Sequence, residues 1–173
     1  MPELSWSAIV VDGATLSAAL TVVILGSLAY NPRLWLQDAP PRVRALAPPL
    51  TDAERRHRLV VAALIFLAIA GVTVWSASRL IARDGPVVTY ATAFAHFAGV
   101  FLLFNLFDLV VLDWFVVLVL RPPFLRRFSV PGLSYEETVG SFGYHLMGFV
   151  KGLGFVTVMS AIAASAVYIV AGR

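Results

Sequence analysis

Two stretches of this chain set ionisable groups among residues that avoid water. In FNLFDLVVLDWF, residues 104–115, they are Asp108 and Asp113, with Asn105 three positions before the first; in YHLMGFVKG, residues 144–152, they are His145 and Lys151. His96 and Asp12 lie in apolar runs of their own. A carboxyl kept from water is costly as an anion unless a cation or hydrogen-bond donors meet it, so it pairs or takes up a proton. Either outcome is useful chemistry, because groups that gain and lose protons at membrane depth serve proton-coupled binding and conduction.

Other chemistries are poorly supplied. The chain has no cysteine, which removes disulfides, thiolate metal sites and cysteine nucleophiles together. A bis-histidine haem needs two imidazoles at one depth, whereas His96 and His145 belong near opposite sides of a membrane. No HExxH occurs, and Gly140, Gly143, Gly148, Gly152 and Gly154 follow neither a P-loop nor a dinucleotide spacing. Ser17, Thr21, Ser160 and Ser165 lack an adjacent base and read as packing residues. No metal or cofactor is expected. Asp113 and His145 with Glu137 are the one combination left to a membrane-embedded enzyme, which ranks third among the functional readings.

The elements that must position these groups follow from hydropathy. Of 173 residues 60% are hydrophobic and 13% charged, with a mean hydropathy of +0.85, more apolar surface than a soluble domain of this size buries. Crossing a hydrocarbon core takes about 20 helical residues, and four apolar stretches are long enough: 8–29, 59–80, 87–120 and 144–171. Two capping boxes extend the set. TDAE at Thr51–Glu54 starts the second helix near 52, and SYEE at Ser134–Glu137 starts the fourth near 135. The expected fold is therefore an all-α bundle of four transmembrane helices, 8–29, 52–80, 87–120 and 135–171, in one domain spanning 1–173. The short turn RDGPV, 83–87, makes the second and third helices antiparallel neighbours.

Charge sets the expected orientation. Arg33, Arg42, Arg44, Arg55, Arg56 and Arg58 lie between the first two helices, and Arg121, Arg126 and Arg127 between the last two; only Arg79, Arg83 and Arg173 lie on the other side. The positive-inside rule then puts both long connections in the cytoplasm and both termini outside, in the inner (plasma) membrane. The first apolar run lacks the basic flank of a cleaved signal and reads as a mature helix. This pattern explains the net charge of +3 as membrane topology, with the lipid bilayer rather than nucleic acid as partner. The loop NPRLWLQDAPPRVRALAPPL, too rich in proline for one helix, reads as interfacial, and His57 in ERRHR as solvated.

Depth then follows from length. The third stretch covers 34 residues, about 51 Å at about 1.5 Å per residue, and must tilt or protrude. VVLDWFVVLVL is too apolar to leave the membrane, so Asp108 falls near the midplane. Asn105 shares its face and is its expected partner, with the hydroxyls of Thr21, Thr73 or Thr157 as alternatives. On an α-helix Asp113 is rotated about 140° from Asp108, so the two should meet different neighbours. Lys151 lies near the depth of Asp113 and either pairs with it or snorkels. His145, Gly148 and Gly152 share one face, where the GxxxG spacing suggests close helix packing. Asp12 should snorkel, with joining His96 in an outer polar site as the lesser alternative.

The residues NPRLWLQDAP, PPLTDAERR, DLVVLDWF, the PG turn and YHLMGFVKG resemble a set of small bacterial four-helix membrane proteins of unknown function, characterised by D-W and F-H-x-x-G-F motifs. The resemblance runs through most of the chain and departs in the turn, where PGLSYEETVGSFGYH replaces a more acidic, polar segment. It implies the architecture and the choice of polar residues, and no activity. The leading functional expectation is a membrane protein whose buried polar cluster binds or conducts a proton, ion or small ligand. The alternative is a non-catalytic accessory or scaffold subunit of a larger membrane complex; for the chain itself the expected partners besides lipid are a homo-oligomer or a larger membrane complex.

Overall fold

The structure is a computed structural model and describes residues 4–171; Arg173, one of the charges in the topology count, lies outside the described residues. Six α-helices form among the described residues: α1 (Trp6–Tyr30), α2 (Pro41–Leu46), α3 (Asp52–Asp84), α4 (Tyr90–Phe107), α5 (Tyr135–Val139) and α6 (Phe142–Ala171). No strand occurs among the described residues. From Asp108 to Leu120 the α4 rod continues as a π-helix, closing on the Arg121 N–H bond to the Val116 carbonyl. Among the described residues four helical segments are long and apolar enough to cross a membrane: α1, α3, α4 with its π extension, and the α5–α6 pair.

Both capping boxes form. Thr51 and Glu54 exchange side-chain and backbone bonds at the start of α3, as do Ser134 and Glu137 at the start of α5. The last segment is interrupted just after α5 at Gly140, whose φ of 98° is one that L side chains rarely adopt. In the proline-rich connection, Arg33 Nε bonds Glu54 at 2.8 Å and Trp35 Nε1 donates to Ser27 Oγ at 2.9 Å, tying the loop to α1 and α3.

The helices form a bundle with two distinguishable ends. α1 begins, α3 stops, α4 begins and α6 stops at one end, here the termini end; the long connections and α2 occupy the other, the loop end. The centre is apolar, with Leu16 and Leu20 of α1, Phe97 and Phe101 of α4, and Ala164 and Val167 of α6 all buried. α6 packs most extensively on α4, which also meets α1. Gly99 allows the latter contact, since a Cβ there would approach Ile9 Cγ2 to 2.8 Å. α3 is peripheral, burying only Ser76 and Leu80. Apolar side chains such as Val22, Phe66, Leu67, Val74 and Ile162 project from the bundle, the inversion of a soluble protein expected where the surroundings are hydrocarbon.

Candidate functional site

Polar groups gather at two levels, above and below that apolar layer. At the loop end a cavity of about 670 Å³ opens between the helices, and its walls include Asn105, Asp108, Asp113, Tyr144, His145 and Lys151. Most of the residues singled out from the sequence thus share one space, although not in the expected pairs. The Asn105 amide donates to the Phe149 carbonyl of α6 at 3.1 Å instead of to Asp108. Thr21 and Thr157 spend their hydroxyls on carbonyls of their own helices. Among the described residues the Asp108 carboxyl has no side-chain hydrogen bond or ion pair.

Asp113 pairs with His145 rather than with Lys151, the His145 Nδ1 lying 3.0 Å from Asp113 Oδ2. Lys151 is exposed and its ammonium is in no ion pair among the described residues. The other ring nitrogen of His145, Nε2, is buried without a partner. Asp113 therefore orients an imidazole whose second nitrogen remains uncommitted. Glu137, the third member of the enzyme-like combination, bonds Arg42 at 3.0 Å; the described residues contain no group of three or more metal-ligating side chains.

The two aspartates line the same cavity because of the π-helix. Hydrogen bonding from i to i+5 widens the turn and brings residues five apart closer to one face than does the α-helical count, which separates them by about 140°. Asp108 and Asp113 thus line one cavity although they form no carboxylate pair, Asp113 lying against His145 instead. Gly152 makes a second local adjustment. A Cβ there would collide with the Asn105 amide, so glycine is what lets that amide lie against α6, whereas Gly148 faces open space. Only one of the two glycines in the expected packing motif therefore serves the α4–α6 contact.

At the termini end Asp12 does not snorkel. It is buried with Ser76 and His96, each no more than 1% exposed. Ser76 Oγ donates to Asp12 Oδ2 at 2.5 Å and lies 2.8 Å from His96 Nε2, which is itself 3.3 Å from Asp12. Arg79 Nη1 bonds the other carboxylate oxygen at 2.5 Å, and its guanidinium stacks 4.7 Å from the Trp75 ring. This joins α1, α3 and α4 through one carboxylate. A cavity of about 350 Å³ adjoins it, lined by Ala8, Asp12, Arg79, Arg83 and His96 among others. Ser76 and Arg79 were not among the sequence candidates. Their signal was present, since an acid near the start of one helix and an arginine near the end of an antiparallel one occupy the same depth.

The arrangement is not a serine-nucleophile triad. Asp12 and Ser76 both address Nε2, and His96 Nδ1 is buried without a partner, so no carboxylate orients the imidazole from behind. His96 and Asp108 are twelve residues apart along α4, about 18 Å at about 1.5 Å per residue, with Leu16, Leu20, Phe97 and Phe101 packed between the two levels. Comparison with protein-family models, curated proteins and solved structures finds no match to this chain.

Proposed function

We propose that this multi-pass membrane protein binds a proton, or a small cation or polar ligand, in its loop-end cavity, with Asp108 as the titrating or ligating group and His145, oriented by Asp113, beside it. The observation that carries the reading is the Asp108 carboxyl, which lines a cavity of about 670 Å³ with no side-chain partner among the described residues. A structural carboxyl at this depth would be expected to be paired, as Asp12 is. The nine arginines of the loop-end connections support an orientation in which this cavity faces the cytoplasm of a plasma membrane.

Infrared difference spectra of the protein in lipid nanodiscs, recorded between acid and alkaline pH, test this directly. The wild type should show a carboxylic-acid carbonyl band that is absent from Asp108→Asn. In proteoliposomes the same variant should lose any proton or solute flux of the wild type. A protonation band and flux untouched by the substitution would overturn the proposal.

A second reading, the accessory subunit, has its own support in α3, which buries only two residues and turns a long apolar face outward. Purification in mild detergent separates the two readings: a stable larger complex favours the accessory role, and a monomer or homo-oligomer that retains the Asp108 band favours the binding role.

A further inference from the structure

We infer that the termini-end cavity is a second binding site, specific for a small oxyanion of the phosphate or carboxylate class, with Arg79 and Arg83 as its donors. The two arginines are four residues apart on α3, so they project from one face, and both line the cavity of about 350 Å³. Each is only partly used. Arg79 bonds Asp12 through Nη1, leaving Nε and Nη2 without a hydrogen bond among the described residues. Arg83 holds Asp84 through Nε and Nη2, leaving Nη1. Three guanidinium N–H-bearing nitrogens are therefore uncommitted beside one cavity, and guanidinium forks suit the planar or tetrahedral oxygens of carboxylate and phosphate.

Each guanidinium is already paired with one carboxylate, Arg79 with Asp12 and Arg83 with Asp84, so recognition rests on their remaining N–H donors rather than on an excess of positive charge. Ala8, in the first turn of α1, also lines the cavity, placing the positive end of that helix dipole beside it. The carbonyl end of α3 contributes the opposite partial charge. Arg79 is held in place by its contact with Trp75 and its bond to Asp12, so little reorientation is needed on binding.

The anion is either free in solution or part of a lipid headgroup, and the test has an arm for each. Purified protein in detergent is titrated with inorganic phosphate against chloride at matched ionic strength, with the thermal unfolding midpoint as readout. In parallel, native mass spectrometry follows retention of phosphatidylglycerol against phosphatidylcholine. A saturable midpoint rise with phosphate identifies a free anion, and selective retention of phosphatidylglycerol identifies a headgroup. In either case Arg83→Gln, which leaves the Asp12–Arg79 pair intact, should weaken the effect by about tenfold for a lost charge-assisted bond. Asp12→Asn, which releases Arg79 from its internal anion, should strengthen it. Asp108→Asn should leave it unchanged, so the result is independent of the loop-end proposal. Equal responses to phosphate and chloride without lipid selectivity, or an Arg83→Gln protein that behaves as wild type, would overturn the inference.

Discussion

The two ends of the bundle treat a buried carboxyl in opposite ways. At the termini end Asp12 is met by a serine hydroxyl, an arginine and a histidine, and is 1% exposed. At the loop end Asp108 faces a cavity while its neighbours are engaged elsewhere: Asn105 bonds a backbone carbonyl and His145 lies against Asp113. The first arrangement ties three helices to one carboxylate, whereas the second leaves the acid without a side-chain partner among the described residues. Membrane depth alone does not distinguish these roles; the number of donors directed at the carboxylate does.

The largest effect should follow from exposing that difference at the termini end. Arg79→Ala leaves Asp12 buried without its strongest counter-charge, and the expected destabilisation is about 3 kcal/mol, read as a shift in detergent-induced unfolding. Combining Asp12→Asn with Arg79→Gln removes both charges while keeping hydrogen-bonding shape, and should recover most of the loss. Failure of the double variant to recover would mean that packing of Arg79 on Trp75, rather than its charge, holds α3 in place.

Gly152→Ala should come next. Its Cβ would overlap the Asn105 amide, forcing α4 and α6 apart or expelling the amide, at a cost of about 1–3 kcal/mol. Gly148→Ala, which meets nothing within 4 Å, should stay within about 0.5 kcal/mol of wild type. Trimming Asn105 to Ala in the Gly152→Ala background should relieve the overlap. Equal effects at both glycines would show that the spacing itself, rather than the Asn105 contact, is what matters.

These cases mark how far the sequence could be read. Hydropathy and caps located the long helices because bilayer thickness and orphan backbone groups constrain length and ends directly, and Thr51–Glu54 and Ser134–Glu137 form as expected. Asn105, Asp108, Asp113, His145 and Lys151 were legible as a group, since polar residues in apolar runs stand out. Their pairing was not. Rotational phase carried past Phe107 on an α-helical count is wrong once the backbone adopts π geometry, and nothing in DLVVLDWFVVLVL announces that change. Asp12 was misread because snorkelling was judged from its own helix, whereas Ser76 and Arg79 of α3 decide its fate.

Within the loop-end cavity itself, the Asp113–His145 pair should contribute moderately. Both side chains are partly buried, at 29% and 12% exposed. A double-mutant cycle with Asp113→Asn and His145→Gln should return a coupling of about 1 kcal/mol. The sharper readout is spectroscopic. Asp113→Asn removes the group that orients the imidazole, so the tautomer distribution of nitrogen-labelled His145 should change while Asp108 keeps its protonation band. An unaltered tautomer distribution would show that the ring is oriented by packing, with Tyr144 as the adjacent contact.

The smallest effect on stability is expected at Asp108, where the functional proposal expects the largest effect on behaviour. Asp108→Asn removes no hydrogen bond or ion pair formed among the described residues and eliminates a costly potential charge, so the unfolding free energy should change by less than about 0.5 kcal/mol or rise slightly. Asp12 offers the control, because its carboxylate accepts from Ser76 and Arg79. If Asp108→Asn proved as destabilising as loss of the Asp12 ion pair, the carboxyl would have a structural partner in the membrane-embedded protein, and the contrast between a closed end and an open one would fail at its open side.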